Sequence, residues 1–188
     1  FCVYGGVAAS DAAARALLEK GALALAQELG VGHLEYRGMQ PRNPPDPSFA
    51  TRDLYYTFRK KIGPDNEANM LAIPRKQRAM VRKGEKLGLR SEIDDDTRRM
   101  FRAFSASVHR LGTPVLPERY FAQLKKVFGE RCEVRVIVQG SELVSGVLSF
   151  YFRDEVIPYY GGGCDIARQV AGNDFMYWSL MRDAAERG

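Results

Sequence analysis

Between Cys132 and Tyr160 the sequence runs through CEVRVIV, ELVSGVLSFYF and EVIPYY, three stretches rich in β-branched and aromatic residues with turns at Gly140-Ser141 and Arg153-Asp154. Strand-type runs joined by turns this short read as successive β-hairpins, since parallel neighbours need a much longer crossover. This segment commits the second half of the chain to a mostly antiparallel sheet, and the helical signals around it must supply the flanking layers.

Those signals are regular. Residues 10–29, SDAAARALLEKGALALAQEL, form a helix that Ser10 or Asp11 can cap and Gly30 can stop. A short strand HLEYR follows, then a Pro-rich connector at 39–53, MQPRNPPDPSFATRD, and a strand at about 54–61. A short helix starts near 65, and a basic helix runs from Pro74 to about Leu87 with Gly88 as its stop. Two more helices are expected near 94–111 and 117–128, and a last one over 173–187, capped by Asn173. One pattern occurs twice: VYGG, a helix and Gly30 near the start, then YYGGG, a helix and Gly188 at the end, as two related lobes would give. The absence of an initiator Met, with Phe1 inside a strand-like FCVY, reads as an internal piece of a longer protein.

A chain of 188 residues with 45% hydrophobic and 11% aromatic content is long and apolar enough to bury a core. No apolar run approaches the roughly 18 residues of a membrane span. Cys2, Cys132 and Cys164 are widely separated and read as free thiols, while two histidines argue against a His-rich metal site.

Charge is the second constraint. Residues 73–90, IPRKQRAMVRKGEKLGLR, carry Arg75, Lys76, Arg78, Arg82, Lys83, Lys86 and Arg90 against Glu85 alone, whereas the whole chain is only +5. On a wheel of about 100° per residue, Ile73, Gln77, Met80, Val81, Gly84 and Leu87 gather on one side. Arg75, Arg78, Arg82 and Lys86 gather on the other, flanked by Lys76, Lys83 and Arg90. Such a face is either simply solvated or holds a multiply anionic ligand, for which guanidinium forks are suited. In YYGGGCDIARQVAGND, Gly161 and Gly162 either let backbone N–H groups approach a ligand or make an edge-strand turn. Tyr159 and Tyr160 should face opposite sides of their strand, one in the core and one toward a cleft. Asn173 either caps the last helix or meets a ligand amine. Asp94, Asp95 and Asp96 precede a helix, where acids complement its dipole, and His109 stands near a helix end. No Ser/His/Asp or Cys/His catalytic set assembles.

The segments TFRKKI, IPRKQRAMVRKGEKLGL, HRLGTPVLPERYF, and IPYYGGG with NDFMYWSLMRDAAERG together resemble the FemAB-related acyltransferases, built of tandem lobes of the Gcn5-related N-acetyltransferase (GNAT) type. Within that family they are most similar to the branch associated with exosortase and exopolysaccharide clusters in bacteria. The resemblance implies a GNAT-like mixed sheet flanked by helices. Residues 1–40 would end a first lobe, 41–51 would be a Pro-rich linker, and 52–188 would be a second lobe short of its last strands. It implies amide formation on a peptidoglycan or exopolysaccharide precursor, with aminoacyl-tRNA or acyl-CoA as co-substrate and no tightly bound cofactor or metal. The implied partners are a phosphorylated cell-envelope precursor and tRNA, at the cytoplasmic face of the membrane. It carries substrate contact over to Arg75, Arg78, Arg82, Tyr159 and Tyr160. With Lys76, Gly161, Gly162 and Asn173 these make the expected substrate site, and no catalytic residue is assigned. Two departures stand out: Arg168-Gln169-Val170-Ala171-Gly172 does not fit the GNAT pyrophosphate loop, and no helical-hairpin arm is visible. A non-catalytic module for RNA or a phosphorylated glycan is the alternative.

Overall fold

The computed structural model describes residues 4–39, 46–52, 54 and 56–187, and the chain divides into two compact units, Phe1–Lys60 and Lys61–Gly188. In the first unit, α1 (Ala12–Glu28) is capped by Asp11, whose carboxylate accepts from the Ala14 N–H at 2.8 Å. Gly30, at a left-handed φ of 59°, follows its end. The strand expected at 33–37 is reduced to one antiparallel bridge between Arg37 and Gly5. The strand expected at 54–61 does not form: residues 56–61 are exposed and without regular structure. An alternating pattern becomes a strand only where a neighbour accepts its backbone hydrogen bonds. The opening strand FCV and residues 40–45 of the connector lie outside the described residues, as does Gly188.

The second unit is built on the meander. Strands β1 (Leu89–Asp94), β2 (Cys132–Gln139), β3 (Glu142–Phe152) and β4 (Glu155–Gly163) lie in that order in one sheet, antiparallel throughout. The sequence reading missed β1, a six-residue edge strand whose LRSEID is too charged to stand out from the helix signals on either side. On one face lie α4 (Arg98–Arg110) and α5 (Glu118–Phe128), with Met100 and Phe121 fully buried against Val134, Val136 and Leu148. On the other lies α6 (Gly172–Arg187), whose Phe175 and Met176 pack on Ile137, Val144 and Val147. The short α2 (Asn66–Leu71) and the basic α3 (Arg75–Lys86) pack against α6 in turn.

Glycines decide how closely these layers approach. A Cβ on Gly146 would lie 2.9 Å from the Met100 Cα, and one on Gly162 would lie 3.0 Å from the Phe104 Cα. Helix α4 therefore crosses β3 and β4 over two positions that tolerate no side chain. Gly84 does the same for α3, where a Cβ would sit 2.9 Å from the Phe175 Cβ on α6.

Candidate functional site

At one end of the sheet, the last residues of β4 pass through a 3-10 turn (Asp165–Arg168) into the amino terminus of α6. The expected glycine turn is thus a correction: Gly161, Gly162 and Gly163 are the closing residues of β4 itself. Their smallness serves packing, with Gly162 against α4 and Gly163 so close to the turn that its Cβ would fall 2.5 Å from the Ala167 Cβ. Helix α6 starts at Gly172, so Asn173 lies in its first turn and is not the cap residue that the sequence suggested. The first amides of a helix have no intrahelical acceptor and carry about half a positive charge between them.

Ser107, Arg110, Gly163, Cys164, Arg168 and Asn173 line a cavity of about 120 Å³ at this junction. Arg110, at the end of α4, donates to the Gly163 carbonyl and pairs with Asp165 at 2.7 Å, tying α4 to the strand end. Cys164 is a half-buried free thiol whose pKa burial pushes up, against the opposing pull of Arg102 and Arg110. The space suits a small anionic or carbonyl-bearing group rather than a whole nucleotide. Sequence reading found only Asn173 and the neighbouring glycines here, because Ser107 and Arg110 come from a helix more than fifty positions upstream.

Tyr159 and Tyr160 are the second correction. The register between β3 and β4 shifts between Leu148 and Ser149, which pair with Tyr160 and Pro158 and leave Tyr159 as an extra residue. This bulge breaks strict alternation, and the two rings lie as neighbours with centroids 4.8 Å apart. Tyr160 packs edge-on against Phe104 and Phe121, and its hydroxyl lies 3.1 Å from that of Tyr120. Tyr159 packs against Phe150. An aromatic shelf thus runs along the α4–α5 face of β4, which is the edge strand of the described sheet.

The basic helix forms as expected, with Pro74 immediately before it and Val81 and Gly84 buried. Arg75, Arg78, Arg82, Lys83 and Lys86 line an open groove of about 660 Å³ on its outer face. Lys76 is exposed on the same helix but does not border the groove. None of these six has an acidic partner among the described residues, whereas Arg98, Arg99, Arg110, Arg135, Arg182 and Arg187 all do. Arg75, Arg78 and Arg82 are therefore brought together, but Tyr159, Tyr160, Gly161, Gly162 and Asn173 border other surfaces. Of the acidic triplet, Asp94 and Asp96 take up Arg99 and Arg98.

One group escaped the sequence reading. Arg135 on β2 is 1% exposed and bonds Glu133 at 2.9 Å, Asp183 of α6 at 2.6 Å and the Ser91 hydroxyl at 2.7 Å. Burial works against its charge, but Glu133 and Asp183 outweigh that and hold the guanidinium ionised. Arg187 bonds the other Glu133 oxygen and stacks over Tyr151, whose phenol burial and the Glu133 charge push up to about 12. The only signal was Glu-x-Arg inside the otherwise apolar run CEVRVIV.

An antiparallel sheet with helices on both faces, whose edge strand leads through a short 3-10 turn into the amino terminus of a covering helix, makes this unit a layered α/β domain. Residues 75–188 match the family model described as the acetyltransferase (GNAT) domain, and the chain belongs to that family. Among solved structures, the fold is similar to one titled "Crystal structure of FemX", with a TM-score of 0.59 and 14% identity over 66% of this chain. The chain spans 48% of that structure's length. The expected GNAT-type family and fold are thus borne out, and the likeness to FemX agrees in fold with the expected FemAB resemblance. No curated protein matches the sequence.

Proposed function

We propose that the protein is an N-acyltransferase that forms an amide on a phosphorylated cell-envelope precursor, peptidoglycan or exopolysaccharide, from acyl-CoA. The observation that carries this reading is the cavity where β4 meets α6, with Arg110, Arg168 and Asn173 around the first amides of a helix. A phosphate of the donor sits against those amides and Arg168. The acyl carbonyl lies along the outer edge of β4, the edge strand of the described sheet, where alternate backbone N–H groups point away from β3. Such donors, fixed in advance, stabilise the oxyanion that develops as the amine attacks. As the tetrahedral intermediate collapses, the C–S bond breaks and the departing thiolate takes up the proton that the amine loses. Positioning supplies the larger share of the acceleration, in keeping with the lack of any paired nucleophile and base among the described residues. The departure of Arg168–Gly172 from the family's pyrophosphate loop leaves aminoacyl-tRNA as the other candidate donor.

Transfer is tested by incubating the protein with each donor and with amine-bearing, nucleotide-linked precursors, then weighing the products by mass spectrometry. The expected result is an amide product, with kcat/KM for Arg168→Gln lowered about ten- to a hundred-fold through loss of a charged hydrogen bond. Precursor binding without product from either donor would favour a non-catalytic module for RNA or a phosphorylated glycan.

A further inference from the structure

We infer that the outer face of α3 is a peripheral membrane-docking surface that takes the headgroups of anionic lipids. This goes beyond the acyl-transfer reading and is independent of whether acyl transfer occurs. The groove's five cations come from one twelve-residue helix and none of them is paired with an acid among the described residues. Every residue lining the groove lies between Arg75 and Leu87, so no second element of this unit closes over a ligand. A compact diphosphate is normally gripped by donors converging from several directions, which the side chains of a single helix do not offer.

The cations are also spread out. From Arg75 to Lys86 the row extends roughly 16 Å along the axis at about 1.5 Å per residue, matching an extended anionic surface better than a single phosphate. The apolar stripe is already committed, since Val81 is 2% exposed and Gly84 abuts Phe175 of α6. The helix therefore lies on a bilayer by charge and does not insert. Leu87, 40% exposed at the groove's end, provides only a shallow apolar fringe. A basic amphipathic helix whose apolar side faces its own protein is suited to reversible, salt-sensitive attachment.

The test is co-sedimentation of the protein with vesicles of phosphatidylcholine alone, and of phosphatidylcholine containing phosphatidylglycerol, with inorganic pyrophosphate as the soluble competitor. Binding is expected only to the anionic vesicles, to weaken steeply with added salt, and to survive pyrophosphate at matched ionic strength. Near an anionic surface each cation contributes about five-fold, so Arg75→Gln/Arg78→Gln/Arg82→Gln should lower vesicle affinity about a hundred-fold. Arg153→Gln, at the far β3–β4 turn, should leave it unchanged, and circular dichroism of each variant should match the parent. Equal binding to neutral vesicles, no binding to either, or loss of binding to pyrophosphate alone would each overturn the inference. Displacement by pyrophosphate would return the helix to a soluble phosphorylated ligand.

Discussion

Arg135→Met should be among the most destabilising single changes in the second unit, costing about 3–5 kcal/mol in urea unfolding. The residue is 1% exposed, and its guanidinium is the common partner of Glu133, Asp183 and Ser91. Methionine fills much of the volume but leaves the Glu133 carboxylate, itself 5% exposed, with one cation fewer in a medium that solvates it poorly. The double variant Arg135→Met/Glu133→Met should recover most of the loss, because the remaining partners are accessible to water: Arg187 is 48% and Asp183 27% exposed. A buried pair replaced together is close to neutral, whereas half a pair is not. A single variant within about 1 kcal/mol of the parent would mean that the cluster is not the clamp between β2 and α6 that its geometry indicates.

The second large effect is expected at Gly162. A methyl group there meets the Ser107 Cβ at 2.6 Å, the Phe104 Cα at 3.0 Å and the Ala103 carbonyl at 3.1 Å. Two of those three atoms are helix backbone, so α4 must move bodily off β4. Gly162→Ala should cost about 2–3 kcal/mol, the upper part of the range for overpacking a core. Gly161→Ala is the internal control: its new methyl meets the Val147 Cγ2 at 3.2 Å, a side chain that can yield. Thermal unfolding of the pair should show a clear drop for the first and a small one for the second. Equal drops would point to a general intolerance of the strand rather than to the helix crossing.

These two sites also mark where sequence reasoning stopped. The meander, α3, α4 and α5 were legible because hairpin turns and helical periodicity are local signals. Strand β1 was not, since a short charged edge strand such as Leu89–Asp94 is defined by its neighbour and not by its own composition. The facing of Tyr159 and Tyr160 was misjudged because alternation presumes an unbroken register, and one bulge moves every later side chain. The triple glycine was visible, but its reason was not: Gly162 answers to Phe104 and Ser107, which lie in a helix about sixty positions earlier. The basic face of α3 was the clearest functional signal, yet the cavity at the β4–α6 junction combines α4, β4 and α6. No window of sequence contains all three.

The family's frame gives these details a common purpose. The β4 end must be narrow enough for α4 and α6 to meet it, which the glycines permit, and the Arg110 tie to Gly163 and Asp165 stiffens it, as the proposed acyl-binding role requires. The Arg135 cluster keeps the distal half of α6 on the sheet, and with it the direction in which the helix presents its first amides.

The proposed function requires the acyl donor to occupy the junction of β4 with α6. Cys164 lines that cavity and is half-buried, whereas Cys132 is 1% exposed, so the thiol reports on the site. The rate of Cys164 alkylation by iodoacetamide, followed by peptide mass spectrometry with and without acyl-CoA, measures occupancy there. A marked slowing that saturates with donor is the expected result. An unchanged rate at donor concentrations where calorimetry shows the protein saturated would place the donor elsewhere.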